Sequence, residues 1–203
     1  QGYLFPGVQR RVGSEGGIKY KGRDDMAMIV SDTPCAAAGV FTSNVVQAAP
    51  VRWDRTIVRD GEKNRRVRAV VVNAGIANAC TGELGLKNAE KTAELAAAEL
   101  NCRANDVIVA STGVIGVNLD MTKMEAGIKA AVKELSREGS VNAGNAIITT
   151  DTYSKACAAE IEIGGKEVRL GAIAKGSGMI RPNMATMLCF ITTDADIDQK
   201  LLQ

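Results

Sequence analysis

Short apolar runs alternate with longer helical patterns along this chain. Residues 26–30, 67–72, 107–110, 159–163, 168–173 and 187–192 are apolar runs of strand length, and each predicts a strand. Glu160-Ile161-Glu162-Ile163 alternates polar with apolar, and Glu167-Val168-Arg169-Leu170 does so again after Gly164-Gly165. A Gly-Gly pair between two such runs predicts a hairpin, because glycine supplies positive φ without steric cost. Val70-Val71-Val72 has no polar face, which predicts a strand covered on both sides.

Two segments carry a helical period. Residues 86–100 place Ala89, Ala93, Ala96 and Leu100 on one side and Lys87, Glu90, Lys91 and Glu94 on the other. Residues 120–138 begin with a Thr122-x-x-Glu125 capping box, continue the stripe Met124, Ile128, Val132, Leu135, and stop at Gly139. A third, shorter helix is expected over residues 140–147. Residues 52–68, rich in Arg and Lys and poor in apolar positions, read as a solvated connection. No linker, repeat or low-complexity stretch divides the chain. The expected fold class is therefore α/β, mixed, with at least one antiparallel hairpin in a single portion spanning residues 1–203.

Composition narrows the chemistry. The 203 residues include 25 Lys plus Arg against 23 Asp plus Glu, a net charge of +2 that offers no attraction for nucleic acid. One Trp, three Tyr and three Phe leave little surface on which to stack bases. No apolar run approaches the roughly 18–20 residues of a membrane span, and the first residues lack the order of a signal peptide. A cytoplasmic protein with no membrane partner is the expectation. Histidine is absent altogether. That excludes a Ser-His-Asp triad, a Cys-His dyad, a His-ligated metal and an imidazole base within this chain. The five cysteines form no C-x-x-C pair, so they are expected to be small buried hydrophobes, with no metal site and no disulfide framework.

Four stretches rich in Gly, Thr, Ser and Asn stand where strands should end. They are Asn73-Ala74-Gly75-Ile76-Ala77-Asn78-Ala79, Ser111-Thr112-Gly113-Val114-Ile115-Gly116, Thr149-Thr150-Asp151-Thr152 and Lys175-Gly176-Ser177-Gly178-Met179. Small residues let backbone N–H groups approach a ligand, although none of the four matches a P-loop or a dinucleotide fingerprint. Each alone reads as a tight turn; together they are compatible with a shared pocket. Pro182-Asn183 then marks a turn just before Met184-Ala185-Thr186 and the final apolar strand. Thr186 can be an ordinary β-branched strand residue. It can also attack the Ala185 carbonyl, shift the acyl group from N to O, and emerge after hydrolysis as a new N-terminus. Its α-amine, with a pKa of about 7.7–8.0, would then serve as base for its own hydroxyl, and no histidine is needed.

On these residues the sequence resembles the N-terminal half of the ornithine acetyltransferase (glutamate N-acetyltransferase) family of arginine biosynthesis. The likeness includes Ala38-Gly39-Val40-Phe41-Thr42-Ser43-Asn44, continues from Asn73 through Gly82 and from Ala110 through Gly116, takes in Thr149 to Thr152, and ends in a long signature from Lys175 to Leu188. It implies layered sheets with helices in a self-cleaving, N-terminal-nucleophile-like architecture. It further implies cleavage between Ala185 and Thr186, Thr186 as nucleophile, Thr112 and Gly113 as the oxyanion hole, and Thr149, Lys175 and Thr186 as substrate contacts. The implied reaction is ping-pong. The acetyl group of N2-acetylornithine passes to Thr186, ornithine leaves, and the acetyl-threonine ester passes the group to glutamate, giving N-acetylglutamate.

No cofactor is implied; some members also take acetyl-CoA as donor, and these residues do not choose between the two. The implied partner is the C-terminal (β) half of the same precursor, in a hetero-oligomer of cleaved halves. The chain stops near where that half should begin and runs past Ala185 without a break, so with Ala185 attached Thr186 has no free amine. Two other readings stay open: a self-cleaving amidohydrolase or aminopeptidase, and a non-catalytic amino-acid-binding domain.

Overall fold

The valine run predicted to be covered on both faces lies in the interior of a four-stranded sheet. A computed structural model of the chain describes residues 10–16, 18–19, 22–59, 67–177 and 187–203. Strands β1 (Arg10–Gly16), β2 (Asp24–Cys35), β3 (Val67–Ile76) and β4 (Val107–Val114) lie in the order β1-β2-β3-β4. The pairs β1–β2 and β2–β3 are antiparallel, and β3 and β4 are parallel. Helix α1 (Ala49–Arg59) lies between β2 and β3 in the chain, and α2 (Gly82–Leu100) is the crossover that the parallel pair β3 and β4 requires.

Alternation sorts the sheet's residues onto two covered faces. On one side Met26, Met28, Val30, Val71, Val107 and Val109 pack against Ala89, Ala93 and Ala96 of α2 and against Met124, Ile128 and Ala131 of α3 (Met121–Lys133). The alanine stripe holds α2 close to the strands, since it has no bulk to keep the helix away. On the other side Ala27, Ile29, Val72 and Ala110 meet α4 (Ser140–Ala146), Ile147 and a second sheet. That sheet is β5 (Lys155–Ile163), β6 (Lys166–Lys175) and β7 (Leu188–Thr193), antiparallel in the order β5-β6-β7. Gly164 and Gly165 make its first hairpin with φ of 58° and 76°, the pair of positive angles that a type I′ turn requires. A last helical turn, α5 (Gln199–Leu202), is tied to the 37–39 segment by Gln199 and Gln203. The mixed α/β class with layered sheets is as expected.

Several expectations need correction. Residues 52–59, read as part of a solvated connection, belong to α1. Its buried stripe is Pro50, Asp54 and Val58, so an acidic residue interrupts the apolar signal in the middle. The acid and its neighbour have partners: Val109 N donates to Asp54 Oδ1 at 2.9 Å, and Trp53 Nε1 donates to the Val107 carbonyl at 3.0 Å. Both close the free edge of β4. Helix α3 is shorter than the predicted 120–138, and the Thr122–Glu125 capping box does not cap it. Asp120 does so instead, accepting from Thr122 N at 3.1 Å and Lys123 N at 3.2 Å, while Glu125 accepts from Lys129 at 2.6 Å. Strand β1 has no counterpart among the predicted strands, and α2 starts four residues before the expected position 86. None of the five cysteines is fully buried, contrary to expectation: Cys35 and Cys102 are half-buried, and Cys80, Cys157 and Cys189 are exposed. Among the described residues no helix is long and apolar enough to cross a membrane.

Candidate functional site

Because β3 and β4 are parallel neighbours, their C-terminal ends finish side by side, the usual place for a site in such a sheet. Ala74 there lies opposite Thr112, and Gly75 opposite Gly113. Ala110 belongs to the layer between the two sheets, so Thr112, two residues on, points into that layer as well. Thr112 is 2% exposed, and its hydroxyl has no hydrogen-bond partner among the described residues. An unpaired buried hydroxyl costs about 1–3 kcal/mol, so this atom is a donor held ready at the expense of stability. Gly113 has φ of 130°, and a Cβ there would stand 2.2 Å from the Gly75 carbonyl carbon. Only glycine fits, which leaves the backbone beside the Thr112 hydroxyl bare of side chain.

The loops beyond these strands are tied to one another. Ser111 Oγ donates to Asn73 Oδ1 at 2.6 Å, and Asn73 Nδ2 donates to the Ile76 carbonyl at 2.8 Å. Ala77 N donates to Val114 O, and Gly116 N to Ala79 O, each at 2.8 Å. Buried Asn78 takes φ of 47° and holds the Gly85 carbonyl through Nδ2 at 2.9 Å, while Thr81 donates to its Oδ1. The positive φ at Asn78 and at Cys80 is backbone strain that this network sustains.

A second cluster forms at the end of β6. Ile173 packs into the layer between the sheets, and Lys175, two residues on, faces the same way and is 3% exposed. Lys175 Nζ donates to the Gly176 carbonyl at 2.9 Å and stands 3.7 Å from Asp151 Oδ2. The other oxygen, Asp151 Oδ1, accepts from Lys155 Nζ at 2.7 Å and from Gly176 N at 2.8 Å. Burial pushes the Asp151 carboxyl up, but Lys155, the Gly176 N–H and Lys175 outweigh it and hold the group below the usual carboxylate range. Burial also pulls the Lys175 ammonium below its ordinary value, against the opposing pull of Asp151. Two ammonium groups around one buried carboxylate leave a local surplus of one positive charge, suited to an anionic group.

Of the sequence-predicted residues, Thr112 and Gly113 are adjacent at the end of β4, and Lys175 faces the same layer from the other sheet. Ala185 and Thr186 lie outside the described residues, as does all of 178–186; the described chain resumes at Met187, and Leu188 pairs with Lys175. Thr149 is half-buried, and no hydrogen bond joins it to Lys175. Asp151 is a site residue that sequence reasoning does not single out. The one signal available is a carboxylate embedded among the small hydroxyl residues of the 149–152 stretch. Among the described residues no group of His, Cys, Asp or Glu could hold a metal ion.

The sequence pattern of the ArgJ family matches residues 10–203. The chain is 51% identical to the arginine biosynthesis bifunctional protein ArgJ of Thermotoga neapolitana, over 100% of this chain and 49% of that protein. It is 54% identical to the protein of the same description from Symbiobacterium thermophilum, over 90% of this chain and 44% of that one. The chain thus spans about half the length of the curated relatives it matches. Among solved structures, arginine biosynthesis bifunctional protein ArgJ from Bacillus halodurans superposes with a TM-score of 0.77 at 38% identity, covering 87% of this chain and 91% of that chain. Ornithine acetyltransferase complexed with ornithine, from Mycobacterium tuberculosis, gives 0.77 at 37% identity, covering 91% and 96%.

Proposed function

The chain belongs to the ArgJ family, and from that membership we propose that it is the N-terminal half of an acetyltransferase that moves the acetyl group of N2-acetylornithine to glutamate. The observation that carries the proposal is the buried, unpartnered Thr112 hydroxyl beside Gly113, a position where charge can develop on a substrate oxygen. The ornithine complex of the Mycobacterium tuberculosis relative supports an ornithine-type substrate.

In this proposal the Ala185–Thr186 bond is first cut. Thr186 Oγ attacks the Ala185 carbonyl, the acyl group moves from N to O, and water hydrolyses the ester to leave a free α-amine on Thr186. That amine takes the hydroxyl proton as Oγ attacks the acetyl carbonyl of acetylornithine. The Thr112 hydroxyl and the Gly113 N–H donate to the resulting oxyanion. Collapse returns the proton to the departing ornithine amine and leaves acetyl-threonine. The glutamate amine repeats the sequence in reverse, and N-acetylglutamate leaves. Lys175, with the positive surplus around Asp151, holds the amino-acid carboxylate, and half-buried Thr149 is a further substrate contact. The solved relatives support a divided protein, because the chains matched there are nearly covered by this one while the curated relatives are twice as long.

The test is made on the full-length protein. Intact-mass measurement should find a fragment that begins at Thr186, and Thr186→Ala should abolish it. Acetylornithine plus glutamate should yield acetylglutamate; free acetate as the main product would mean an amidohydrolase, and uncleaved, inactive protein would mean a binding domain.

A further inference from the structure

The turn between β1 and β2 reaches the corner formed by Gly75 and Gly113. Strands β2 and β3 are antiparallel and Met26 pairs with Asn73, so the residues just before β2 lie beside the C-terminal end of β3. That end carries Gly75, which takes φ of 99° where the ladder to β4 loses its regular register. Lys19 Nζ donates to the Gly75 carbonyl at 3.2 Å, across 56 positions of sequence. The oxygen it holds is the one that a Cβ on Gly113 would approach to 2.4 Å. Lys19, Gly75 and Gly113 therefore stand in series, with the buried Thr112 hydroxyl one residue before the last.

The turn is built to hold that lysine in place. Asp25 is 0% exposed, and its carboxylate accepts from Ile18 N at 3.0 Å and from Lys19 N at 2.6 Å. The Ile18 side chain is buried in the core cluster with Met26 and Ile128, against Gly127 of α3. The backbone of the turn and one side chain are thus pinned, while the Lys19 side chain is exposed and extends to Gly75. Four residues on, Arg23 donates to the Ile148 carbonyl, next to Thr149. One turn therefore touches both clusters of the candidate site. A single bond from an exposed ammonium to a neutral carbonyl adds little to global stability. Its effect is local: it fixes the Gly75 peptide, on which the Gly113 backbone rests with no side chain between, and it sets a positive charge beside that corner. Donors aimed at a developing oxyanion act through such preorganisation.

We propose that Lys19 is a positioning residue for acetyl transfer: through the Gly75 carbonyl it fixes the Gly113 backbone, and its charge favours the oxyanion formed there. The inference deepens the proposed function and rests on it, since that reaction supplies the oxyanion. In this role Lys19 touches no substrate. Both half-reactions pass through the same corner, so both should slow together without a change in either KM.

The test is Lys19→Met in the full-length protein, with rates counted per chain that begins at Thr186. The position is exposed, so the variant should fold and melt like the wild type. Misplacing a catalytic group by about 1 Å costs up to roughly 100-fold, so kcat should fall by roughly 10- to 100-fold with KM for acetylornithine and glutamate unchanged. Lys19→Arg, which keeps charge and reach, should restore most of it. p-Nitrophenyl acetate gives a second readout: it acetylates Thr186 Oγ and releases p-nitrophenol, and it bears no amino-acid carboxylate. Its burst should slow by the same factor. An unchanged kcat in Lys19→Met overturns the proposal. So does a raised KM for glutamate with a normal burst, which would make Lys19 a carboxylate contact, and so does a lowered melting temperature that Lys19→Arg does not repair. A burst that slows in Lys19→Met while the wild type makes no acetylglutamate would remove the proposed reaction and leave the role of Lys19 standing. Undiminished acetylglutamate formation by Lys19→Met would do the opposite.

Discussion

Replacing Asp151 by Asn removes one charge and little volume, and its buried surroundings set the cost. The carboxylate is 1% exposed, 3.7 Å from the 3%-exposed Lys175 ammonium and 2.7 Å from Lys155. At an effective dielectric of about 20, one charge pair at that separation is worth roughly 4 kcal/mol, and breaking a buried pair from one side typically costs about 3–5 kcal/mol. The full-length protein is about twice as long as this chain, so each kcal/mol moves the melting temperature by roughly 1–2 °C and a fall of roughly 3–10 °C is expected. The loss also has a pH signature. In the variant, burial and Lys155 both act to lower the Lys175 pKa, and the opposing pull of Asp151 is gone. The folded state then binds fewer protons than the unfolded state, so the variant regains stability as pH rises through the folded pKa of Lys175. The deficit should therefore be greatest near neutral pH and shrink as pH rises toward the ordinary lysine range. Thermal unfolding of full-length protein across that range measures it, with Lys155→Met as control, since Lys155 is 36% exposed and its pair should contribute only about 1 kcal/mol or less. A deficit below about 3 °C that is flat with pH, or one no larger than that of Lys155→Met, would refute the reasoning.

Other consequences can be checked in the same protein. Thr112→Val replaces an unpaired buried hydroxyl by a methyl group, so stability should hold or rise while kcat for acetyl transfer falls by roughly 100- to 1,000-fold. Gly113→Ala forces a Cβ to within 2.2 Å of the Gly75 backbone at φ of 130°; activity should be lost, with a stability loss of roughly 2–5 kcal/mol by urea titration. Asp54 is buried with, among the described residues, only the Val109 N–H to hold its charge, and burial raises its pKa well above the usual value. The folded state then binds the extra proton, so Asp54 weakens the protein as pH rises from about 4 toward its folded pKa. Asp54→Asn should accordingly stabilise near pH 7 and match the wild type near pH 4, as melting temperatures at the two pH values would show.

The parts of the fold legible in the sequence are those set by local periodicity. The Gly164-Gly165 hairpin, the doubly covered valine strand and the alanine face of α2 follow from alternation, from an apolar run and from a helical period. Helix α1 is not legible, because its buried stripe contains Asp54 and its partner is a strand edge more than 50 residues away. The Asp120 cap escapes the sequence pattern for a related reason: two residues in the same turn could each cap the helix, and local pattern does not choose between them.

For the candidate site the division is similar. Sequence alone determined that no base within this chain is a histidine, and its resemblance to a family pointed to Thr112, Gly113 and Lys175. Tertiary structure decided that the Thr112 hydroxyl is unpaired, that Gly113 can carry no side chain, and that Lys175 is a buried cation sharing Asp151 with Lys155. It also decided that Lys19 reaches the Gly75 carbonyl from the turn before β2. Residue type and spacing are local properties that a chain displays directly. Burial, strand register and the loss of hydrogen-bond partners arise only when distant segments pack, so they are fixed by the fold.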